Sequence, residues 1–166
     1  RELELCLIVT GAHLEEKFGN TCQEILEDGY SVDYRVPMDL VSDTPGGICV
    51  SMGKELTGLA DVFAQARLDL LFLLGDRYET LAAAMAAMLF RIPIAHLHGG
   101  EITEGAVDDG ARHSISKMSA LHFTSTEVYA RRLRQMGEEA ARVWNVGALG
   151  VENIKRISYL TREELC

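Results

Sequence analysis

Polar clusters punctuate an otherwise apolar chain, most of them directly after an apolar run. Thr10-Gly11-Ala12-His13 closes the first such run. Gly75-Asp76-Arg77-Tyr78-Glu79 follows Leu70-Leu71-Phe72-Leu73-Leu74. A third run ends in His96-Leu97-His98-Gly99-Gly100-Glu101, and Glu104, Asp108, Asp109, Arg112 and His113 come soon after. Carboxylates, imidazoles and guanidiniums grouped in this way suit general acid–base chemistry on an anionic small molecule.

Each residue also has a plainer reading. Asp76 just before a helical stretch is a favoured N-cap. His96 and His98, two apart on a strand, point to one face. A single histidine there is more often a satisfied core residue, but a second histidine and Glu101 three positions on argue for a site. Gly99-Gly100 lets the backbone approach a ligand closely. Asp108 and Arg112 are four apart on a helix and can pair, which on a surface is worth under about 1 kcal/mol. The first turn of that helix also offers free N–H groups to an anion such as a phosphate.

Several familiar devices are absent. No G-x-G-x-x-G follows a strand, so no nicotinamide or flavin cofactor is expected. Gly47 to Gly53-Lys54 misses the phosphate-loop spacing by one residue and has Glu55 where Ser or Thr belongs. No G-x-S-x-G nucleophile elbow occurs. Cys6, Cys22, Cys49 and Cys166 form no C-x-x-C pair and no zinc spacing, so no metal is assigned.

The elements that would position these groups alternate. Strands are expected at Leu3–Val9, Val32–Val36, Asp69–Leu74, Ile92–Leu97, Ala120–Thr124 and Arg142–Val146. Helices are expected over Glu15–Asp28, Gly47–Gln65, Tyr78–Phe90, Val107–Met118 and Glu127–Met136. Nearly continuous apolar strands between helices predict an α/β fold, a Rossmann-like doubly wound parallel sheet covered on both faces. In such a sheet, ligands bind outside the carboxyl ends of the strands, where the polar clusters fall. Ser42-Asp43-Thr44-Pro45-Gly46-Gly47 is the one loop rich in breakers.

The chain has 166 residues, 48% of them hydrophobic, enough for one well-buried core. A formal net charge of −9 argues against nucleic acid as a partner. The densest basic run, Arg131, Arg132 and Arg134, reads as a solvated helix face. No apolar run reaches the roughly 20 residues of a membrane span. Without a visible targeting segment, and with cysteines that read as reduced, a cytoplasmic protein is expected. The first strand starts almost at residue 1, and Thr161-Arg162-Glu163-Glu164 has the form of a capping box. Both features suggest a longer molecule: residues 1–150 as an amino-terminal domain, and 151–166 as the start of a crossover to a second one.

Gly75-Asp76-Arg77-Tyr78-Glu79, Pro93 to Glu101 and Glu104 to His113 together resemble the hydrolysing UDP-N-acetylglucosamine 2-epimerases of sialic-acid biosynthesis. Val9 to Leu14, Ser42-Asp43-Thr44-Pro45 and Asn145-Val146-Gly147-Ala148 extend the resemblance over nearly the whole chain, in order. It implies one half of a glycosyltransferase-B-like two-domain fold, the amino-terminal half without its first strand, and a homo-oligomer. It also implies a UDP-sugar substrate. Anti elimination of UDP and syn addition of water would give free N-acetylmannosamine, with carboxylates as acid–base groups and no metal. Carried over residue by residue, Asp76, Glu101, Asp108 and His98 are the expected catalytic residues. His13, Arg77, Glu79, His96, Arg112 and His113 are the expected substrate-binding ones. Some relatives have Glu where His98 stands, which leaves the second proton transfer to either His98 or Glu101.

Three other readings compete. A sister activity would hydrolyse a UDP-2,4-diacetamido-2,4,6-trideoxy sugar with the same chemistry at C1 and C2. A metal-dependent hydrolase would use His96 and His98 with Asp76 or His113 as ligands. A nucleotide-sugar binding module would bind without turnover.

Overall fold

The computed structural model describes residues 3–104 and 107–157. The capping-box segment Thr161–Glu164 and Cys166 lie outside these. Among the described residues, six short strands, β1 (Ile8–Thr10), β2 (Tyr34–Val36), β3 (Leu71–Leu74), β4 (Ile94–Leu97), β5 (Leu121–Thr124) and β6 (Val143–Asn145), alternate with six α-helices. The helices are α1 (Cys22–Glu27), α2 (Pro45–Gln65), α3 (Tyr78–Phe90), α4 (Asp108–Met118), α5 (Glu127–Gln135) and α6 (Leu149–Arg156). Every strand pair is parallel, so the α/β class expected from the apolar runs is the one observed.

Hydrogen bonding divides the strands into two sheets, β1-β2 and β3-β4-β5-β6, rather than one. Among the described residues, no strand lies between β1 and β3 to join them. Helix α2 crosses from β2 to β3 and packs on α3, which in turn packs on α4. The core lies beneath these helices. Leu59, Val62 and Phe63 of α2, five buried alanines of α3, Ile94 of β4 and Ile115 of α4 are buried together or beside it. The alanines Ala82, Ala83, Ala84, Ala86 and Ala87 keep α3 slim, so α2 and α4 can approach it closely. Burying Ile94 and Ile115 completely stabilises the fold by about 1.5–3 kcal/mol each. The opposite face of the larger sheet is open among the described residues. Phe72, Phe123 and Trp144 stack across it at 6.4 and 5.4 Å, with Phe72 and Trp144 largely exposed. The expectation of two covered faces is met on one side only.

Local chemistry explains the element boundaries. Thr44 caps α2 by accepting the Gly47 N–H at 3.2 Å, and Pro45 starts the helix. Gly11–Leu14 forms a 3-10 turn, and the helix expected over Glu15–Asp28 is instead a second such turn, Glu16–Phe18, followed by the short α1. Gly19 at φ 89° and Asn20 at φ 44° place two successive left-handed residues in its middle, which no α-helix accommodates. Helix α6 falls where a crossover segment was expected, and its Leu149, Val151 and Ile154 are exposed.

Candidate active site

The carboxyl ends of β3, β4 and β5 lie side by side, at neighbouring-strand spacings of about 4.8 Å. The loops leaving them bring together most of the groups singled out in the sequence. Asp76 does not cap α3: Arg77 occupies the N-cap position and makes no side-chain cap bond. The Asp76 carboxylate instead accepts a hydrogen bond from Arg112 Nη2 across 36 residues of sequence. The partner foreseen for Arg112 on its own helix, Asp108, is exposed and makes no hydrogen bond or ion pair among the described residues. Arg112 is nearly enclosed. Its Nη2 also donates to Thr103 Oγ1 at 2.9 Å, while Asp109 stands 4.0 Å from Nη1. Among the described residues its Nε and Nη1 are buried without a hydrogen-bond partner, so the guanidinium retains unspent donors beside Asp76. His113 leans toward Asp109, with Nε2 3.8 Å from its carboxylate.

Strand β4 ends at Leu97, so His98 lies beyond the pleat rather than on it. Its φ of 64° is left-handed, and its side chain parts from that of His96. His98 Nδ1 meets Glu101 Oε1 at 2.8 Å, and the Ser125 hydroxyl donates to the same oxygen at 2.6 Å. An acceptor on Nδ1 selects the tautomer with hydrogen there, leaving the Nε2 lone pair for a proton. Ser125 sits immediately after β5, so the rule that directs attention to strand ends could have found it; its lone hydroxyl gave no other signal. Gly99 and Gly100 make the turn possible. A Cβ on Gly100 would lie 2.5 Å from the Tyr129 carbonyl, and the Gly100 carbonyl accepts from Arg132. Arg132 is thus a structural anchor rather than part of a solvated face.

His96 is fully buried and does not face the crevice as a substrate ligand would. Its Nε2 meets the Gly75 carbonyl at 2.8 Å and its Nδ1 the Ser116 hydroxyl at 3.1 Å. Burial is the main cause that pushes its pKa down to about 4, so the ring is neutral and donates from Nε2. Ser116 is also within 3.0 Å of the Arg112 carbonyl. His96 therefore ties the turn that carries Asp76 to the helix that carries Arg112. Both its ring nitrogens are engaged by non-metal partners, and His98 turns to Glu101, so the two histidines do not converge as metal ligands. Among the described residues, no group of three or more His, Cys, Asp or Glu side chains is arranged to hold a metal ion.

The family model described as UDP-N-acetylglucosamine 2-epimerase matches residues 1–165. The chain belongs to the UDP-N-acetylglucosamine 2-epimerase family. It is 44% identical over 165 residues to the GDP/UDP-N,N'-diacetylbacillosamine 2-epimerase (hydrolyzing) of Campylobacter jejuni, covering 99% of this chain and 43% of that protein. It is 42% identical over 162 residues to the UDP-N,N'-diacetylbacillosamine 2-epimerase (hydrolyzing) of Legionella pneumophila, covering 98% of this chain and again 43% of the relative. The chain therefore spans under half the length of these curated relatives. Among solved structures, the UDP-GlcNAc 2-epimerase of Neisseria meningitidis bound to UDP-GlcNAc superposes with a TM-score of 0.75 at 20% identity. That match covers 90% of this chain and 42% of the other. The fold corresponds to one half of the glycosyltransferase-B-like architecture of these epimerases.

In this epimerase-family chain the remaining expected binding residues lie toward β1. Glu79, in the first turn of α3, is buried and takes Arg77 Nε at 3.1 Å and Nη2 at 2.9 Å in a two-pronged pair. That pairing is the chief reason the Arg77 pKa is raised. Gly11, at φ 64°, brings its backbone against Glu79, where a Cβ would stand 3.2 Å from the carboxylate side chain. His13 is exposed in the turn after β1, with Nδ1 2.6 Å from the Thr21 hydroxyl. Asp76, Arg112, His98 and Glu101 therefore gather at the ends of β3 and β4. Arg77 and Glu79 flank them, and His13 and Asp108 are not drawn in by any hydrogen bond to that cluster.

Proposed function

We propose that the full-length protein is a hydrolysing 2-epimerase of a nucleotide-linked 2-acetamido sugar. The observation that carries this reading is the pairing, on adjacent strand ends, of a carboxylate held by a guanidinium with an imidazole held by a carboxylate. The names of the two relatives above, 44% and 42% identical, favour an N,N'-diacetylbacillosamine substrate over N-acetylglucosamine.

The reaction needs a proton moved at C2, a diphosphate released from C1, and water added at C1. His98 takes the C2 proton through Nε2, with Glu101 and Ser125 holding the ring in that tautomer. In the first step His98 takes the C2 proton as the C1–O bond breaks, and UDP leaves with the electron pair. In the second, water adds its oxygen to C1 of the glycal on the face that UDP left, Asp76 passes the proton this water loses to C2 on that same face, which inverts C2, and His98 releases its proton to solvent. Asp76 faces the positive charge that develops at C1 in both steps and accepts the proton that the attacking water loses. Arg112 holds Asp76 through Nη2, and its guanidinium contributes positive charge toward the leaving diphosphate. UDP-sugar and water thus become free epimerised sugar and UDP, with no cofactor in the balance.

The test is turnover of the full-length protein in deuterated water. The expected product is free sugar deuterated at C2, with one UDP released per sugar. A product still attached to UDP places the protein among non-hydrolysing epimerases, and binding without turnover makes it a nucleotide-sugar binding module.

A further inference from the structure

The His96 ring is fully buried, yet it touches the segments that carry Asp76 and Arg112. Its Nε2 meets the carbonyl of Gly75, the residue just before Asp76, at 2.8 Å. Its Nδ1 meets the hydroxyl of Ser116, one turn on from Arg112 in α4, at 3.1 Å. We propose that His96 is the residue that positions Asp76 for proton transfer, acting through Gly75 on one side and through α4 on the other. The inference rests on the functional reading above and goes beyond it by naming a residue that sets its geometry without touching substrate.

The Gly75 carbonyl is half of the planar peptide unit from which Asp76 hangs, so fixing it fixes the direction in which Asp76 leaves β3. Gly75 has a left-handed φ of 84°, and nothing lies within 4 Å of the place a Cβ would take. Hydrogen bonds, rather than crowding at its Cα, hold this residue. Its N–H donates to the Leu97 carbonyl at 3.1 Å, and its carbonyl accepts from His96 Nε2. Both partners belong to β4. Without the ring, that peptide loses its partner and can rotate about the glycine.

A carbonyl only accepts, so the ring hydrogen lies on Nε2 and Nδ1 is an acceptor. The one hydroxyl hydrogen of Ser116 lies between Nδ1 and the Arg112 carbonyl, at 3.1 and 3.0 Å. Ser116 is completely buried, and a Cβ on Gly99 would stand 3.0 Å from both Nδ1 and Ser116 Oγ. The Gly99 backbone thus closes over the pair, and a buried polar bridge satisfied at both ends favours one arrangement. That arrangement sets Asp76 against Arg112, because one hangs from Gly75 and the other from α4.

A histidine that only filled the core would act through stability. Its loss would lower the melting point and leave kcat of the folded enzyme alone. A positioning residue acts through the group it places, so its effect fades once that group is gone.

The test is a set of double-variant cycles in the full-length enzyme, assayed by UDP release well below each melting point. The substrate is the better of UDP-N,N'-diacetylbacillosamine and UDP-N-acetylglucosamine. Misplacing a catalytic group by about 1 Å costs on the order of 10²-fold, so His96→Leu should lower kcat by about that factor and change KM by less than about 3-fold. His96→Gln, whose amide N–H can reach the Gly75 carbonyl, should recover at least about 10-fold of that loss. Ser116→Ala keeps the Gly75 bond and should lower kcat by about 3–10-fold, the worth of one hydrogen bond; it carries the test if His96→Leu fails to fold. In an Asp76→Asn background each loss should shrink to less than about 3-fold. Additive losses, losses carried by KM, or variants that lose only melting temperature overturn the role of His96 and leave the epimerase reading in place. A wild type that releases UDP from neither sugar overturns the epimerase reading and this inference with it.

Discussion

In the proposed reaction Asp76 faces C1 and takes part in proton transfer, and as the partner of Arg112 it compensates a charge that is only 7% exposed; a single substitution separates the two. Asp76→Asn keeps the shape and an accepting oxygen but removes the negative charge. The expected loss in kcat is on the order of 10²–10⁴, the range for a general acid or base. Stability should also fall, by about 1–3 kcal/mol, less than for a fully buried pair because Asp76 is partly exposed. A mere N-cap would have predicted no such loss, since Asn caps as well as Asp. Calorimetry gives the second number, and assays well below the melting point of the variant give the first. Full activity under those conditions would remove Asp76 from the chemistry.

At the scale of elements, the turn from β4 into α4 is what places His98 and Glu101, and glycine chemistry makes that turn. Gly100 combines a φ of 78° with a backbone approach that leaves 2.5 Å for any Cβ beside the Tyr129 carbonyl. The obstacle is backbone of α5, which is itself packed through Ala130 and Leu133 and cannot yield cheaply. Gly100→Ala should therefore destabilise by at least about 2 kcal/mol and impair activity by moving Glu101. Gly110 offers the contrast. It lies exposed within α4 with nothing within 4 Å of its would-be Cβ. Gly110→Ala should stabilise by about 0.5–1 kcal/mol through helix propensity. Urea denaturation of both variants checks the pair, and equal effects would show that the close approach at Gly100 is not what holds the turn.

For the whole molecule, two buried groups on different elements set how stability responds to pH. His96, ordinarily near 6.5, is pushed down to about 4 chiefly by burial. It stays neutral in the fold while the unfolded chain takes up a proton, so its contribution is present above pH 6.5 and is lost as pH falls toward 4. Glu55 of α2, ordinarily near 4.5, is pushed up to about 8 by burial first and by the charge of Glu79 second. It stays protonated in the fold, so its contribution is full below pH 4.5 and is lost as pH rises toward 8. Between 4.5 and 6.5 the two slopes oppose each other, and His122, also pushed down by burial, acts in the same direction as His96. From 6.5 to 8 only Glu55 acts, and stability should fall by about 2 kcal/mol at roughly 1.4 kcal/mol per pH unit. Glu55→Gln should remove that fall, as read from urea midpoints at pH 6.5 and 8.0. An unchanged slope in the variant would assign it to other groups.

Hydrophobic pattern determined the α/β class, the order of six strands and the location of polar residues at strand ends, because periodicity and burial are properties of short segments. The motif pattern determined the family. Tertiary structure decided who partners whom. Arg112 chose Asp76, 36 positions away, over Asp108 on its own helix, because the two strand-end loops converge on α4 and Asp108 faces solvent. His96 and His98 look equivalent in sequence. One lies inside the pleat beneath α4, and the other passes into a left-handed turn, which only the packing of α5 against Gly100 reveals. Equally hidden in the sequence was the fixing of Leu40, whose N–H and carbonyl are held by Glu15 and Lys17 across more than twenty residues.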